Sequence, residues 1–130
     1  MFEACFLRLV VLIHTLFLLF VCFTPFLGNN YFLCLHLMAV PFMMIHWVMN
    51  DNNCALTLLE ANVRRTLYGV MPRKNDCFIH KIIAPIYDFN DDHSVAIYAS
   101  TISLWFISFC RLWYNRQNGR FNGLQDLLKY

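Results

Sequence analysis

Charged residues are scarce in this chain. Of its 130 residues only 14% are charged, while 59% are hydrophobic and 17% are aromatic, whereas ordinary globular proteins carry roughly 25% charged residues. A water-soluble domain of this length leaves about a third of its potential surface exposed, so it could not hide this much apolar surface. The composition therefore excludes an ordinary soluble domain and indicates a chain that folds in lipid.

A strong charge bias and several catalytic motifs are also missing. The net charge is only +2, whereas nucleic-acid-binding domains carry a clustered basic face, so we expect no nucleic-acid partner. The chain has no G-x-S-x-G, H-E-x-x-H or glycine-rich phosphate loop, which excludes the enzyme classes that depend on them. Its six cysteines form no C-x-x-C pair, so they do not indicate a redox compartment.

Long apolar runs dominate what is present. Residues 9–27 and 31–49 are each 19 residues without a formal charge, which is the length a helix needs to cross about 30 Å of hydrocarbon. The first run is longer than the apolar core of a signal peptide and no A-x-A site follows it, so it predicts a membrane span. Residues 95–114 form a third, less apolar span, with Arg111 near its end. Three residues between the first two spans predict an antiparallel hairpin.

A proline interrupts the second span. Pro41 removes one backbone donor from the predicted helix. In lipid the carbonyl that this leaves unpaired must find a partner, and a neighbouring helix can supply one. We therefore expect a kink at Pro41 and no break in the helix.

The polar segment that follows the hairpin begins with a short amphipathic helix, predicted over residues 58–68. Thr57 and Glu60 fit a capping box at its start, and Gly69 fits the left-handed position just past its end. Glu60 and Arg64 are four residues apart and form an ion pair on a polar flank. The predicted apolar stripe consists of Leu59, Val63 and Leu67. A helix of this kind is expected to lie at the membrane interface.

These elements predict an all-α membrane protein with three transmembrane helices and one interfacial helix. We expect a single domain over residues 1–130, made of a hairpin, a polar segment that is loop after the interfacial helix, a third span and a basic tail, at 1–49, 50–94, 95–114 and 115–130. Three spans place the N-terminus on the same side as the polar segment. Basic residues occur on both sides, so the positive-inside rule does not choose an orientation.

Two histidines lie at similar depth in the predicted hairpin, His14 in the first span and His46 in the second. A helix rises about 1.5 Å per residue, which brings both to the same end. An ionisable residue inside a span is a functional-site hypothesis by default. The simpler interpretation, which we favour, is that His14 is hydrogen-bonded inside the bundle and His46 lies in the headgroup zone beside Trp47. Asn50 follows His46 on the same helix face.

Two candidate sites involve the polar segment. A catalytic, metal or redox site would use His14, His46, Cys54 and Glu60. A tetrahedral zinc site would instead use the ligand types found at Cys54, Cys77, His80 and His93. The second set lacks paired spacing around Cys54, so unpaired loop residues are the simpler interpretation, and no cofactor is predicted.

One pattern resembles a family of small multi-pass membrane proteins of unknown function. The family shares an intramembrane histidine, a Cys-x-Leu-Thr-x-x-Glu motif and a basic residue, and the resemblance covers about residues 9–68. Matching positions here are His14, His46, Trp47, Cys54, Leu56, Thr57, Glu60 and Arg64. Ala55 replaces the proline that often follows the cysteine.

A fainter resemblance connects "HWVMNDNNCALTLLE" with small membrane proteins of large DNA viruses, whose capsids enclose a lipid membrane. It implies a place in the virion inner membrane, as a minor capsid component. Taken together, the sequence predicts a structural or scaffolding membrane protein and favours no enzyme activity. Its expected partners are the lipid bilayer and membrane or capsid proteins that bind the polar segment or the tail. The alternative is the membrane-embedded enzyme or metal or redox factor described above.

Overall fold

The protein is all-helical in the residues described by a computed structural model, 1–69 and 93–129. The helices in chain order are α1 (Phe2–Leu27), α2 (Asn30–Met49), α3 (Ala55–Tyr68), α4 (His93–Gln117) and α5 (Leu124–Leu127). This confirms the predicted fold class. Helices α1 and α4 extend beyond the predicted spans because backbone hydrogen bonding continues past the hydrocarbon boundary that limits the apolar run. The loop predicted after Gly69 lies outside the described residues.

Three of these helices, α1, α2 and α4, are long and apolar enough to cross a membrane. In their most apolar stretches only 17%, 17% and 11% of the residues are buried, and most of the large apolar side chains on them point outward. A water-soluble bundle would bury those side chains. The architecture fits a multi-pass integral membrane protein whose outer surface contacts lipid tails.

Polar side chains occupy much of the interior, in contrast to the apolar outer surface. In lipid a polar group is stabilised when a partner inside the protein satisfies it, because the surrounding tails cannot. Among the described residues, the buried polar or charged ones are His14, Thr24, His36, Glu60, Thr101 and Ser108. Of these, His36 connects helices through its contacts with the Val21 carbonyl and Ser108, and such contacts help to specify how helices pair in lipid.

The chain divides into two compact units. The first comprises Met1–Phe17 with His46–Ser94, and the second comprises Leu18–Ile45 with Val95–Tyr130. The second unit contains the turn between α1 and α2, most of α4 and the tail.

Two prolines organise the second unit. Pro25 in α1 and Pro41 in α2 lie inside helices, so each leaves the carbonyl four residues earlier without its helical donor. His36 Nε2 lies 3.0 Å from the Val21 carbonyl, which is the one affected by Pro25. Trp105 Nε1 donates to the Leu37 carbonyl, the one affected by Pro41, at 3.0 Å. A neighbouring helix therefore satisfies both carbonyls, as predicted for Pro41.

The first unit contains the turn from α2 into α3. Asp51 and Asn52 adopt left-handed backbone angles, with φ of 51° and 62°, a region that Asn and Asp tolerate better than other side chains. The Asn52 amide donates to the Trp47 carbonyl at 2.8 Å, which closes the end of α2. The run of amides and acids at 50–53 therefore forms a tight turn at the end of a span.

The predicted start of α3 is wrong. The helix begins at Ala55, with Cys54 at the N-cap position, so Thr57 lies inside the first turn and cannot form a capping box with Glu60. Its end was predicted correctly: Gly69 has φ of 69° and its amide donates to the Arg65 carbonyl at 2.9 Å. The start was misplaced because the capping-box pattern points to Thr57 as the capping residue, whereas the helix begins after Cys54.

The burial of Glu60 on α3 differs from the prediction. Glu60, expected on a polar flank, is fully buried, whereas Leu58 and Leu59 are 42% and 39% exposed. Apolar periodicity identifies the buried face only when water surrounds the helix. Beside a membrane the apolar side chains can face outward, and here the carboxylate faces inward.

Candidate functional site

The buried centre of the first unit is a histidine and a carboxylate. His14 on α1 is 3% exposed and Glu60 on α3 is fully buried. His14 Nδ1 lies 3.9 Å from Glu60 Oε2, which is beyond hydrogen-bond range but close enough for electrostatic attraction. Neither of these two atoms has a hydrogen-bond partner within residues 1–69 and 93–129. Buried polar atoms are almost always paired in native proteins, so this pair of atoms calls for a physical explanation.

The other carboxylate oxygen of Glu60 is fully engaged by Arg64. Arg64 Nε donates to Oε1 at 2.9 Å, and Arg64 Nη2 lies 2.9 Å from the same oxygen. Both contacts therefore fall on Oε1, and Oε2 is left facing His14. The guanidinium supplies the positive charge that a buried carboxylate requires, and at 26% exposure it also connects this centre to the surface. The i,i+4 pair predicted from the sequence is confirmed, but in a buried setting.

Cys54 brings a thiol to this centre from the N-cap of α3. Its pKa is lowered from the ordinary value of 9.0. Burial is the largest influence and acts to raise the pKa, but it is outweighed by a hydrogen bond with the His14 side chain, the amides of Leu56 and Thr57, and the charge of His14. The thiolate is the form of cysteine that acts as a nucleophile or binds metal.

His46 and Asn50 have a positioning role beside the cluster. The first backbone amide of α3, at Ala55, donates to His46 Nε2 at 3.2 Å. Asn50 Nδ2 donates to the His46 carbonyl at 2.9 Å. The hydrogen bonds of His46 in the described residues therefore go to the turn and to Ala55 and not to His14. His46 satisfies one of the amides that the start of every helix leaves open, and so it holds the N-terminus of α3 in place.

The structure thus brings together His14 from α1 and Cys54, Glu60 and Arg64 from α3 and its N-cap. His46 and Asn50 support them, and Thr57 contributes its backbone amide. Of the alternative zinc set, Cys77, His80 and the side chain of His93 lie outside the described residues, so that site stays an alternative hypothesis. Within residues 1–69 and 93–129, no three His, Cys, Asp or Glu side chains are arranged to hold a metal ion.

One buried polar cluster in the second unit was missed by sequence reasoning. His36 is fully buried between the Val21 carbonyl and Ser108 Oγ, which lies 3.0 Å from its Nδ1. A carbonyl only accepts, so Nε2 carries the proton and the Ser108 hydroxyl donates to Nδ1. Pro25 could have revealed this cluster from the sequence, because it leaves the Val21 carbonyl without a helical donor, as Pro41 does for the Leu37 carbonyl.

Chemically, the first-unit cluster places a thiol beside an imidazole and the imidazole beside a carboxylate. That order of groups is the one that activates a nucleophile: a base accepts its proton and a third group orients the base. Comparison with protein-family models, curated proteins and solved structures finds no match to this chain.

Proposed function

We propose that this multi-pass membrane protein carries out thiol chemistry at the membrane boundary, with Cys54 as its reacting group. His14 accepts the thiol proton, Glu60 orients and stabilises the resulting imidazolium, and Arg64 holds Glu60. The electrophile is a group presented at the level where α2 leaves the membrane. This proposal takes up the enzyme or metal or redox alternative from the sequence and assigns His46 a positioning role.

One observation carries the proposal: two buried polar atoms, His14 Nδ1 and Glu60 Oε2, face each other beside a thiol, and neither has a hydrogen-bond partner in the part of the chain that the structure describes. A purely structural ion pair would be expected to satisfy both oxygens of a fully buried carboxylate. Here the carboxylate keeps one oxygen directed at the imidazole. The resemblance to the family with the His and Cys-x-Leu-Thr-x-x-Glu pattern supports the proposal, because the same three residue types meet here.

The test is the reactivity of Cys54 in the otherwise intact protein. A Cys54-only variant is prepared by replacing the other cysteines with serine, at Cys5, Cys22, Cys34, Cys77 and Cys110. Its alkylation rate by iodoacetamide is measured in detergent micelles as a function of pH, with a Cys5-only variant as the exposed control. We expect faster alkylation of Cys54 near neutral pH, and slower alkylation when His14→Gln is added. Equal rates for the two cysteines, or no effect of His14→Gln, would contradict the proposal.

A second candidate is the structural or scaffolding role predicted from the sequence. The observation in its favour is that His46, His36 and Trp105 all serve to hold helices in place. The extension of this role to a virion inner membrane and capsid partners depends on the fainter viral resemblance. His46→Ala and Glu60→Ala distinguish the candidates: variants that insert and assemble normally but lose thiol reactivity or a bound metal, measured by elemental analysis and absorption spectra, favour the thiol site.

A further inference from the structure

A cavity lies at the end of the second unit where α1 meets α2. Its volume is about 410 Å³, and its walls come from the start of α2 and from the tail after α4. The wall residues that matter here are Asn29, Tyr31, Arg120, Phe121, Asp126 and Lys129. This cavity is separate from the Cys54 cluster, which belongs to the first unit.

Hydrogen bonds between distant segments build the cavity. Asn115 Nδ2 donates to Asn30 Oδ1 at 2.7 Å, and Asn30 Nδ2 donates to the Arg120 carbonyl at 2.9 Å. One side chain therefore connects the end of α4 to the returning tail. Phe121, which is 8% exposed, anchors the tail at its next residue. The position of the cavity wall at Arg120 is thus determined by tertiary contacts.

The charge of the cavity is positive. Arg120 and Lys129 are both exposed side chains, and neither forms an ion pair with any residue that the structure describes. The acidic residue, Asp126, already accepts a hydrogen bond from the Asn122 amide at 2.8 Å. Two cationic donors therefore remain available to an anion, and arginine in particular matches the geometry of phosphate oxygens.

The level of the cavity along the membrane-length helices indicates which anion it binds. Its walls begin where α1 ends at Leu27 and α2 begins at Asn30, which are the ends of two membrane-length helices. Tyr31 lies at this level, where amphipathic aromatic rings favour the headgroup region. Basic residues close to a span attract anionic lipids, and the segment 111–129 carries four of them against one acid.

We propose that this cavity binds the phosphate of an anionic phospholipid headgroup, with Arg120 and Lys129 as the cationic contacts. Asn30 and Asn115 act as positioning residues that hold the tail over the lipid. The acyl chains lie along the apolar outer surface of the spans, so the lipid fixes the tail at the membrane surface. This proposal does not depend on the function proposed for Cys54.

The test measures retention of lipid by the full-length protein. The purified chain is exchanged into nanodiscs that contain either phosphatidylcholine alone or a mixture with phosphatidylglycerol, and co-purifying lipid is quantified by native mass spectrometry. We expect preferential retention of phosphatidylglycerol. Each of Arg120→Gln and Lys129→Gln should weaken it by about five-fold, as expected for one basic residue at the membrane surface.

Two further variants separate a built site from a general basic surface. Arg116→Gln removes the same charge from α4 outside the cavity, so its loss of retention should be markedly smaller. Asn115→Ala removes no charge but releases Asn30 from α4, so it should reduce retention while circular dichroism shows unchanged helix content. If Arg116→Gln weakens retention as much as Arg120→Gln and Asn115→Ala has no effect, the cavity is not a lipid site. If inorganic phosphate competes away the lipid at equal concentration, the site binds soluble anions and the proposal is overturned.

Discussion

Replacing His36 by leucine should destabilise the second unit because it removes the donor that compensates for Pro25. His36 Nε2 is 3.0 Å from the Val21 carbonyl, and Pro25 has no amide with which to bond that carbonyl. Leaving a buried acceptor unsatisfied costs about 1–3 kcal/mol. This exceeds the average of about 0.6 kcal/mol for an interhelical hydrogen bond in a membrane, because Pro25 denies the Val21 carbonyl its helical donor. We therefore expect His36→Leu to lower the free energy of unfolding by about 1–3 kcal/mol.

The decisive measurement is a rescue by Pro25→Ala. Alanine restores the backbone amide, so the Val21 carbonyl regains its helical partner and no longer needs His36. A double-mutant cycle removes the general gain in helix propensity and the loss of His36 volume, because both are present in the single variants. The coupling that remains should be about 1 kcal/mol, the net value of one backbone hydrogen bond, and this exceeds the scatter of about 0.3–0.5 kcal/mol expected for independent sites.

The assay is reversible unfolding in detergent micelles, followed by near-UV circular dichroism. A matched control comes from the second proline: Pro41→Ala should rescue Trp105→Phe, which loses its bond to the Leu37 carbonyl, but should not rescue His36→Leu. Additive effects in the Pro25 cycle would refute the reasoning. Equal rescue of His36→Leu by either proline variant would refute it as well.

Three other predictions follow from the structure. Glu60→Gln should lower the free energy of unfolding by about 1.5–3 kcal/mol, because the buried carboxylate accepts charged hydrogen bonds from the neighbouring guanidinium; the same micelle assay measures it. The alkylation rate of Cys54 should reach half its maximum below pH 9.0, since its pKa is lowered, and His14→Gln should move that midpoint upward. Gly28→Ala should cost about 1–3 kcal/mol, because the added Cβ would lie 2.7 Å from the Thr24 carbonyl oxygen, as thermal unfolding can show.

Each of these has an outcome that contradicts it. Glu60→Gln with unchanged stability would mean that the carboxylate is not held as a charged acceptor. The pKa of Cys54 is lower in the folded state than in the unfolded chain, so the ionised thiolate stabilises the fold. This contribution to the free energy of unfolding is present above pH 9.0 and is lost as the pH falls through the folded-state pKa. A Cys54 midpoint at or above 9.0 would remove the basis for an activated thiol. Gly69→Ala serves as a control for Gly28→Ala, because its Cβ meets nothing within 4 Å and only its φ of 69° opposes the change.

The local chemistry of several elements could be read from the sequence. The three spans follow from run length and absence of charge, and the end of α3 follows from Gly69, since only glycine adopts a left-handed angle there without strain. The partner required by the Leu37 carbonyl was also foreseen, because the loss of a donor at Pro41 is a local fact. The donor itself, Trp105, was not, because it lies 68 residues away.

What the sequence by itself determined is that the chain has three helices long and apolar enough to cross a membrane, and where α3 ends; α1 and α4 extend beyond their predicted spans, and α3 begins earlier than predicted. What only the tertiary structure decided is which helix faces meet: Glu60 inward and Leu59 outward, His46 on the Ala55 amide, and Cys54 beside His14. The physical reason is that lipid tails are as apolar as leucine, so hydrophobicity no longer says which face is buried. In this chain, hydrogen bonds and ion pairs of buried polar groups determine which face of a helix points inward.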